Sequence, residues 1–408
     1  MSIICRAEGV ALICALSVLG MACGGRAYES DAEGWFVRWG ADDNDRFLAV
    51  TADERSRIYA AGHTGSRPEG GGAALNVVVA HFTDVGALGW QSLIGTDQDD
   101  AATSVVAANG DVFVAGFTAG ALGRPNAGDR DSWAARLDGN TGTTRWLSQW
   151  GSSAWDAAGQ ILTTGNGVVL VAGETDAVPS AGETDVFVTS FDASSGRERW
   201  HVQWGGPGND YVRHVALGAE GEVYVAVLEV EGPSNTSGHR MVVRTMDVES
   251  GTQRASVAFA PSSSQELSLK ATIDKTGNLY VLAETSSTIS KVSGQTGELL
   301  WRTAVTSETP SAPPSNHRLA IESSGELLLA SSDSKEARLG WFEPTNGQLL
   351  ALRRVAWPAA TLLNAISTVP TRQGTSPRTT TSGQVLLAGF LTPNQAAPPG
   401  AFVALAEK

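Results

Sequence analysis

Short runs of alternating apolar and polar residues follow one another along most of this chain, separated by turns rich in glycine. Alternation at period two is typical of half-buried antiparallel strands. Every connection carries Gly, Pro, Asn or Ser, the residues that tight turns need. One complete set of four strands, named A to D, is predicted at Val212 to Leu217, Val223 to Leu228, Met241 to Met246 and Ala255 to Phe259.

The set of four strands recurs along the chain. Trp35, Trp90, Trp146 and Trp200 are spaced by 55, 56 and 54 residues. The B strand can be read seven times, beginning near Ile58, Val112, Val169, Val223, Leu279, Leu327 and Val385. A repeat of this length, built from short strands and Gly-rich turns, indicates a β-propeller blade. The sequence therefore predicts an all-β, seven-bladed β-propeller of four-stranded antiparallel blades over residues 34–408.

The two ends of the repeat array predict how the ring closes. A D strand beginning near Trp35 precedes the first A strand, whereas no D strand follows the last C strand near Phe402. We expect the N-terminal strand to complete the last blade, because an open array would leave exposed strand edges. Blades 5 and 6 have lost the Trp-Gly and Asp landmarks, and Ser307 to Ser315 is predicted to be a loop.

The first residues form a different segment. Val10 to Leu19 is an apolar run too short to span a bilayer, which predicts a secretion signal over residues 1–22. Gly20-Met21-Ala22-Cys23 resembles the bacterial lipobox, which implies lipidation of Cys23 and a tether over residues 23–33. Gly20 stands where that pattern has Leu. Ordinary secretion with cleavage after Ala22 and an apolar core helix stay open as alternatives.

Cysteine usage and net charge limit the disulfides and the binding partners that we expect for this protein. After Cys23 no cysteine occurs, so the mature chain can form no internal disulfide. The net charge of −14, with 24 Arg and 5 Lys, argues against nucleic acid or an anionic membrane surface as a partner. It favours cationic ligands or metal ions. Gly24 after Cys23 lacks the inner-membrane retention signal of enteric bacteria, so the expected location is an anchored lipoprotein of the outer membrane.

The blade from Trp146 to Trp200 resembles the bacterial seven-bladed β-propeller repeat of secreted and surface proteins. The likeness rests on Trp146 to Gly151, Asp156, Val169 to Gly173 and Asp185 to Val188. It is strong over residues 35–227 and implies a binding or scaffold role without assigned chemistry.

A second resemblance is to the Trp-docking repeats of quinoprotein dehydrogenases and of an outer-membrane assembly lipoprotein. It rests on Gly142 before Trp146, Gly196 before Trp200 and Gly297 before Trp301. In those proteins the Trp locks neighbouring blades together. Many quinoprotein dehydrogenases have a vicinal disulfide under the cofactor, which this mature chain cannot form, so we expect no quinone cofactor.

The recurring Trp and Asp residues have a structural and a functional interpretation. Trp90, Trp146 and Trp200 could line a ligand groove, but one aromatic per blade at the same position is typical of a wedge between blades. Asp45, Asp100, Asp156 and Asp210 each follow a Gly by five residues, and we expect them to accept hydrogen bonds from amides of the D-to-A crossover. Blade packing is therefore the predicted role of Trp90, Trp146, Trp200, Asp156 and Asp210.

Calcium binding is the functional alternative to this structural role for two acidic loops. Asp42, Asp43 and Asp45 offer hard oxygen ligands within four residues, as do Asp97, Asp99 and Asp100. Neither loop has the full spacing of a calcium-binding loop. Ca²⁺ is thus the one cofactor that the sequence leaves open.

Topology places these loops on one face of the ring. If the strands alternate in direction, the D-to-A crossovers and the B-to-C loops emerge together, and we call this side the loop face; the A-to-B and C-to-D turns form the turn face. Long variable loops on one face of a repeat ring usually mark the binding side. The long B-to-C loops are predicted at Thr64 to Asn76, Thr118 to Asp131, Thr175 to Asp185, Glu229 to Arg240 and Leu391 to Gly400.

No catalytic motif stands out in the sequence. The six histidines (His63, His81, His201, His214, His239 and His317) show no zinc spacing. Neither a phosphate-binding loop nor a Gly-x-Ser-x-Gly elbow occurs. The predicted function is a non-catalytic binding module of the cell envelope that binds a protein or glycan through the loop face. The alternatives are a scaffold for outer-membrane protein assembly and a propeller hydrolase or lyase acting on extracellular carbohydrate.

Overall fold

The computed structural model describes residues 27–28, 34–40, 44–65, 74–177, 183–232, 238–259, 269–284, 286–305, 317–322, 324–332, 336–356, 361–369, 384–391 and 400–407. All regular structure in these ranges is β-strand. Cys23, Asp42, Asp43 and the predicted loop Ser307 to Ser315 lie outside them.

The first three sheets each contain four consecutive antiparallel strands, in the chain order A, B, C, D. Blade 1 comprises β3 (Arg46–Ala52), β4 (Ile58–Thr64), β5 (Asn76–Phe82) and β6 (Leu88–Ile94). Blade 2 comprises β7 (Asp100–Ala108), β8 (Asp111–Thr118), β9 (Asp131–Asp138) and β10 (Thr144–Trp150). Blade 3 comprises β11 (Asp156–Thr163), β12 (Val168–Thr175), β13 (Asp185–Asp192) and β14 (Glu198–Trp204).

The next three sheets repeat this order, including the two blades whose landmarks are worn. Blade 4 comprises β15 (Tyr211–Leu217), β16 (Glu222–Val230), β17 (His239–Asp247) and β18 (Gln253–Phe259). Blade 5 comprises β19 (Leu269–Ile273), β20 (Leu279–Ala283), β21 (Thr288–Val292) and β22 (Leu299–Ala304). Blade 6 comprises β23 (His317–Ile321), β24 (Leu327–Ser332), β25 (Glu336–Phe342) and β26 (Leu349–Ala356).

The seventh blade joins the two ends of the chain. Its A, B and C strands are β27 (Thr361–Thr368), β28 (Gln384–Leu391) and β29 (Gly400–Glu407), and its D strand is β2 (Gly34–Trp39). β2 pairs with β29 along its whole length, and the Phe36 and Phe402 rings stack 5.3 Å apart. This confirms the predicted closure. A two-residue strand, β1 (Ala27–Tyr28), lies in the predicted tether and pairs with the outer edge of β2.

The A strands surround the centre of the ring. Each A strand contacts the A strands of both neighbouring blades, from β3 through β7, β11, β15, β19 and β23 to β27 and back to β3. The B and C strands are almost entirely buried, whereas the D strands have exposed side chains; β18, for example, has five of its seven residues exposed. Polar alternation is therefore visible mainly in the D strands at the rim.

The core is divided into layers between blades. One layer packs Tyr59 and Val79 of blade 1 against Val112 and Trp133 of blade 2. Similar layers join blades 4 and 5 and blades 6 and 7. Because each layer takes apolar side chains from two sheets, no blade can bury its faces alone, as is typical of repeat proteins.

The A strands carry an irregularity that the alternation did not predict. In blades 1 to 4 and 7, one A-strand residue is skipped in the pairing with strand B, for example Thr103 in blade 2 and Arg213 in blade 4. Blades 5 and 6 pair without this bulge. A bulge re-aims a side chain and bends the strand. The bulged residues Thr103 and Asn364 form polar contacts around the centre of the ring.

Candidate functional site

The recurring tryptophans of five blades each contact the next blade on the turn face. The indole Nε1 of Trp90 donates a hydrogen bond to Gly139 O at 3.1 Å, and Trp146 donates to Ala193 O at 2.9 Å. Trp200 donates to Val248 O at 3.0 Å. Trp35 and Trp301 make the same bond to Asp84 O and Pro344 O. In every case the acceptor lies in the C-to-D turn of the following blade.

A glycine in each of these turns makes room for the indole ring. Gly142 and Gly196 have φ values of +72° and +69°, and a Cβ atom on them would lie 2.5 to 2.6 Å from the rings of Trp90 and Trp146. Gly297 has the same backbone conformation but faces Val257, because blade 4 has Ala255 where blades 1, 2, 3, 5 and 7 have Trp. The tryptophans thus lie between blades, in contact with backbone.

The recurring aspartates lie at the other end of the A strands, on the loop face. Asp156 is 5% exposed; its Oδ2 accepts hydrogen bonds from the backbone N and the hydroxyl of Ser152 at 2.6 and 2.8 Å, and its Oδ1 accepts one from the Thr175 hydroxyl at 2.5 Å. Asp210 accepts from Gly206 N and from Val230 N. Each carboxylate therefore ties a D-to-A crossover to the end of strand B.

A recurring threonine partner escaped the sequence analysis. Thr64 Oγ1 donates to Asp45 Oδ1 at 2.6 Å, as Thr175 does to Asp156. Both threonines are buried, as is Thr118 in blade 2. The signal was available, because each of the three is the last residue of a Gly-x-Thr sequence that ends strand B.

Burial raises the pKa of two of these carboxyl groups. The pKa of Asp210 rises to about 6, and that of Asp100 rises above its ordinary value, although hydrogen bonds from backbone amides oppose the shift in both cases. Burial is the larger cause because almost no surface of either residue reaches solvent.

The predicted calcium ligands are partly committed to other contacts. Asp99 Oδ1 accepts a hydrogen bond from Leu75 N at 2.9 Å, and Asp100 Oδ2 accepts from Thr96 N at 2.6 Å. Asp97 is exposed. Among the described residues, no three acidic, His or Cys side chains are grouped so that they could hold a metal ion. Asp42 and Asp43 lie outside those residues, and the calcium site stays a prediction.

The loop face has a cavity of about 440 Å³ between the first three blades. It is lined by the crossovers at Gln98, Asp99 and Trp155 and by Asp129 and Arg130 of a B-to-C loop. The Arg130 guanidinium lies 4.4 Å from the centre of the Phe117 ring. Asp129 and Gln98 are exposed and Trp155 is partly exposed, so a ligand could reach all three side chains.

A second cavity of about 330 Å³ lies between blades 2 and 3. Trp150, Phe187 and His201 supply aromatic walls, and Gln203 and Arg124 supply polar groups. Gln203 Nε2 also donates to Asp185 Oδ2 at 3.1 Å, as Gln149 does to Asp131 in blade 2. These amide and carboxylate pairs join strands C and D near the loop face.

The histidines are dispersed in the structure as they are in the sequence. His81 in β5 lies between the rings of Tyr59 and Trp90, at 5.2 and 5.9 Å, and burial lowers its pKa. His214 in β15 faces the centre of the ring, where burial lowers its pKa to about 4. Both side chains are therefore neutral at pH 7.

Polar side chains join neighbouring A strands around the channel. Thr103 Oγ1 donates to Ala158 O at 2.6 Å, and Asn364 Nδ2 donates to Phe47 O at 3.0 Å. Gln160 contacts Val215 N and Arg213 O of the next blade. Arg213, Lys270 and Arg318 line a third cavity here, of about 390 Å³. Sequence analysis missed these three residues because they do not recur at one position in every blade: Arg213 is the third residue of its A strand, whereas Lys270 and Arg318 are second residues.

Comparisons with known proteins establish the fold class. No known family model matches the chain, and no curated protein matches it. Virginiamycin B lyase from Staphylococcus aureus is similar in structure, with a TM-score of 0.55 at 10% identity over 92% of this chain and 99% of that chain. The Dos1 propeller gives a TM-score of 0.52 at 9% identity over 90% and 94%. A europium-containing methanol dehydrogenase gives a TM-score of 0.51 at 11% identity over 86% of this chain and 89% of that chain.

The protein is a seven-bladed β-propeller, and at these identities the likeness shows the fold alone. Among the described residues, no helix is long and apolar enough to span a membrane.

Proposed function

We propose that this protein is an exported, lipid-anchored β-propeller that acts as a non-catalytic binding module at the bacterial cell envelope. One observation carries the proposal: the cavity of about 440 Å³ on the loop face, which residues of the first three blades surround and into which the exposed Gln98 and Asp129 bring polar groups. The polar atoms of the repeated Trp and Asp residues form hydrogen bonds within the ring. The residues that differ between blades are the ones available to a ligand.

The chemistry of the cavity suits a polar ligand such as a glycan or a peptide. Gln98 and Asp129 supply hydrogen-bonding groups, and Trp155 supplies an aromatic surface. Concave sites with a few convergent polar groups and an aromatic wall are the usual form of small-ligand and peptide sites. The cavity also adjoins the long B-to-C loop of blade 2, which extends its rim.

Binding can be tested on the purified protein with envelope glycans and envelope protein extracts. We expect the variant Gln98→Ala/Asp129→Asn/Trp155→Ala to lose most binding that the wild type shows. The matched control, Glu220→Gln/Gln295→Ala, changes two exposed residues of turn-face turns and should bind as the wild type does. Equal loss in both variants, or none in either, would contradict a loop-face site. Co-purification of outer-membrane assembly proteins would favour the scaffold alternative, and cleavage of a bound glycan would favour a hydrolase or lyase.

The anchor rests on the sequence around Cys23 and has its own test. We expect the wild-type protein, expressed in a bacterial host with a labelled fatty acid, to carry the label and to sediment with membranes. Cys23→Ser should abolish both. A labelled Cys23→Ser protein, or an unlabelled wild type released in soluble form, would contradict lipidation.

A further inference from the structure

Three cationic side chains from three consecutive blades meet at one end of the central channel. Arg213 is the third residue of β15, Lys270 is the second residue of β19, and Arg318 is the second residue of β23. All three line the same cavity of about 390 Å³, together with His214. Because every A strand begins at a D-to-A crossover, this cavity opens towards the loop face.

The three positive charges lack close acidic partners in the part of the chain that the structure describes. No carboxylate oxygen there lies within 4.0 Å of the three groups. Arg318 donates from Nε to Asn364 O at 2.5 Å and from Nη1 to His317 O at 2.7 Å. The buried Nε of Arg213 has no hydrogen-bond partner among the described residues. Donors therefore remain available on these side chains.

The three charges also act on one another. Burial lowers the pKa of Lys270, and the positive charges of Arg318 and Arg213 lower it further, while Glu284 opposes them. Burial likewise lowers the pKa of both arginines. Like charges held together in a partly buried site destabilise the fold unless an opposite charge joins them.

The nearest acidic groups offer incomplete compensation. Glu174 acts on Arg213, but its pKa is raised to about 7 by burial, so near neutral pH a large share of its carboxyl groups carries no charge. Glu284 Oε1 lies 3.2 Å from His317 Nδ1, so this carboxylate also interacts with His317. His214 is neutral at pH 7, because its pKa is about 4, and adds no charge.

We propose that this end of the channel binds a small multivalent oxyanion, with its oxygens shared between Arg213, Lys270 and Arg318. Guanidinium groups present planar pairs of N–H donors that match carboxylate and phosphate oxygens, and the Lys ammonium adds a compact charge. A ligand with two or more negative charges can contact all three blades at once. The chain as a whole carries −14, so its overall field repels anions and binding here depends on the local contacts with these three groups. The inference does not depend on the lipid anchor or on the loop-face cavity.

Calorimetric titration of the purified protein with pyrophosphate and citrate tests the proposal, with acetate as a monovalent control at constant ionic strength. We expect saturable binding of one or both multivalent anions and a rise in Tm with their concentration. Tighter pyrophosphate binding would identify phosphorylated compounds as the ligand class, and tighter citrate binding would identify polycarboxylates. Saturable binding of neither would overturn the proposal, as would acetate binding as tightly.

Three single variants, Arg213→Gln, Lys270→Gln and Arg318→Gln, should each raise the Kd for the anion by roughly 10-fold to 100-fold. This is the usual effect of removing one hydrogen bond to a charged group. Arg199→Gln is the matched control, because Arg199 pairs with exposed Glu249 at the rim. Without anion, Lys270→Gln should raise Tm, because it removes like-charge repulsion. If the three cations served folding alone, the same substitution would lower Tm. Unchanged binding in all three variants, or a lower Tm for anion-free Lys270→Gln, would contradict the site.

Discussion

The indole ring of Trp146 occupies the space that a Cβ atom on Gly196 would need, 2.6 Å from Cδ2 of the ring. Trp146 belongs to blade 2 and Gly196 to the C-to-D turn of blade 3. The contact couples a backbone conformation in one blade to a side chain in the next, and the neighbouring Ala193 O accepts the indole hydrogen bond at 2.9 Å.

Replacing Gly196 by Ala should test this coupling. Gly196 has a φ of +69°, which costs an L-residue about 1 to 2 kcal/mol, and the new Cβ would also displace the Trp146 ring at a further cost of about 1 to 3 kcal/mol. Gly221→Ala is the control, because Gly221 has a φ of +71° and open space at its Cβ position. Urea unfolding should show a larger loss for Gly196→Ala. Equal losses would mean that the ring contact contributes nothing.

Asp156 should stabilise the crossover between blades 2 and 3. Asp156→Ala removes the acceptor of Ser152 and of Thr175, and we expect a loss of roughly 2 to 4 kcal/mol in the free energy of unfolding. Asp129→Ala, at an exposed carboxylate on the same face, should stay within about 0.5 kcal/mol of the wild type. A double-mutant cycle with Thr175→Val should give a coupling of about 1 kcal/mol between Asp156 and Thr175. Additive losses would show that Asp156 stabilises the fold through contacts other than the one with Thr175.

Glu174 should make stability fall as pH rises. Its carboxyl group has a pKa of about 7 in the folded chain against 4.5 as the ordinary value, so the folded state holds this proton more tightly. The contribution is fully present below about pH 4.5 and is lost as pH rises to about 7, at up to about 1.4 kcal/mol per pH unit. Glu174→Gln keeps an acceptor for Val212 N, which lies 2.9 Å from Oε1.

The measurement for Glu174 is urea unfolding at pH 5, 6, 7 and 8. The wild type should lose more stability across this range than Glu174→Gln does, and the difference between the two isolates Glu174 from Asp210, whose pKa is also raised. Parallel curves for the two proteins would show that Glu174 titrates near its ordinary pKa.

Closure of the ring by β2 should be essential to folding. Phe36, Val37 and Trp39 are each 5% exposed or less, and Phe36 stacks on Phe402 in the last blade. Deleting residues 34–39 should therefore abolish cooperative thermal unfolding or drive oligomerisation through the bared edge of β29. A circular permutant that places residues 34–39 after residue 407 should recover a monomer with a cooperative transition. A stable monomeric deletion protein would contradict the role of β2.

The strand order, the number of blades and the closure were determined by the sequence alone, because each depends on local patterns. Alternation fixes which residues face a neighbouring blade, turn glycines fix where strands end, and the displaced D strand at Trp35 fixes how the ends meet. Even in blades 5 and 6, where the Trp-Gly and Asp landmarks are missing, the apolar B strands at Leu279 and Leu327 kept the pattern readable.

The partners of the repeated residues, and the three cations at the channel, were decided by the tertiary structure alone. Trp146 and Ala193 are 47 residues apart, and Arg213 and Arg318 lie in blades 4 and 6 with blade 5 between them, so no local pattern links them. The channel residues differ from blade to blade, so the repeat that predicts the fold does not predict them. Their proximity arises when the ring closes and brings the starts of the A strands around one axis.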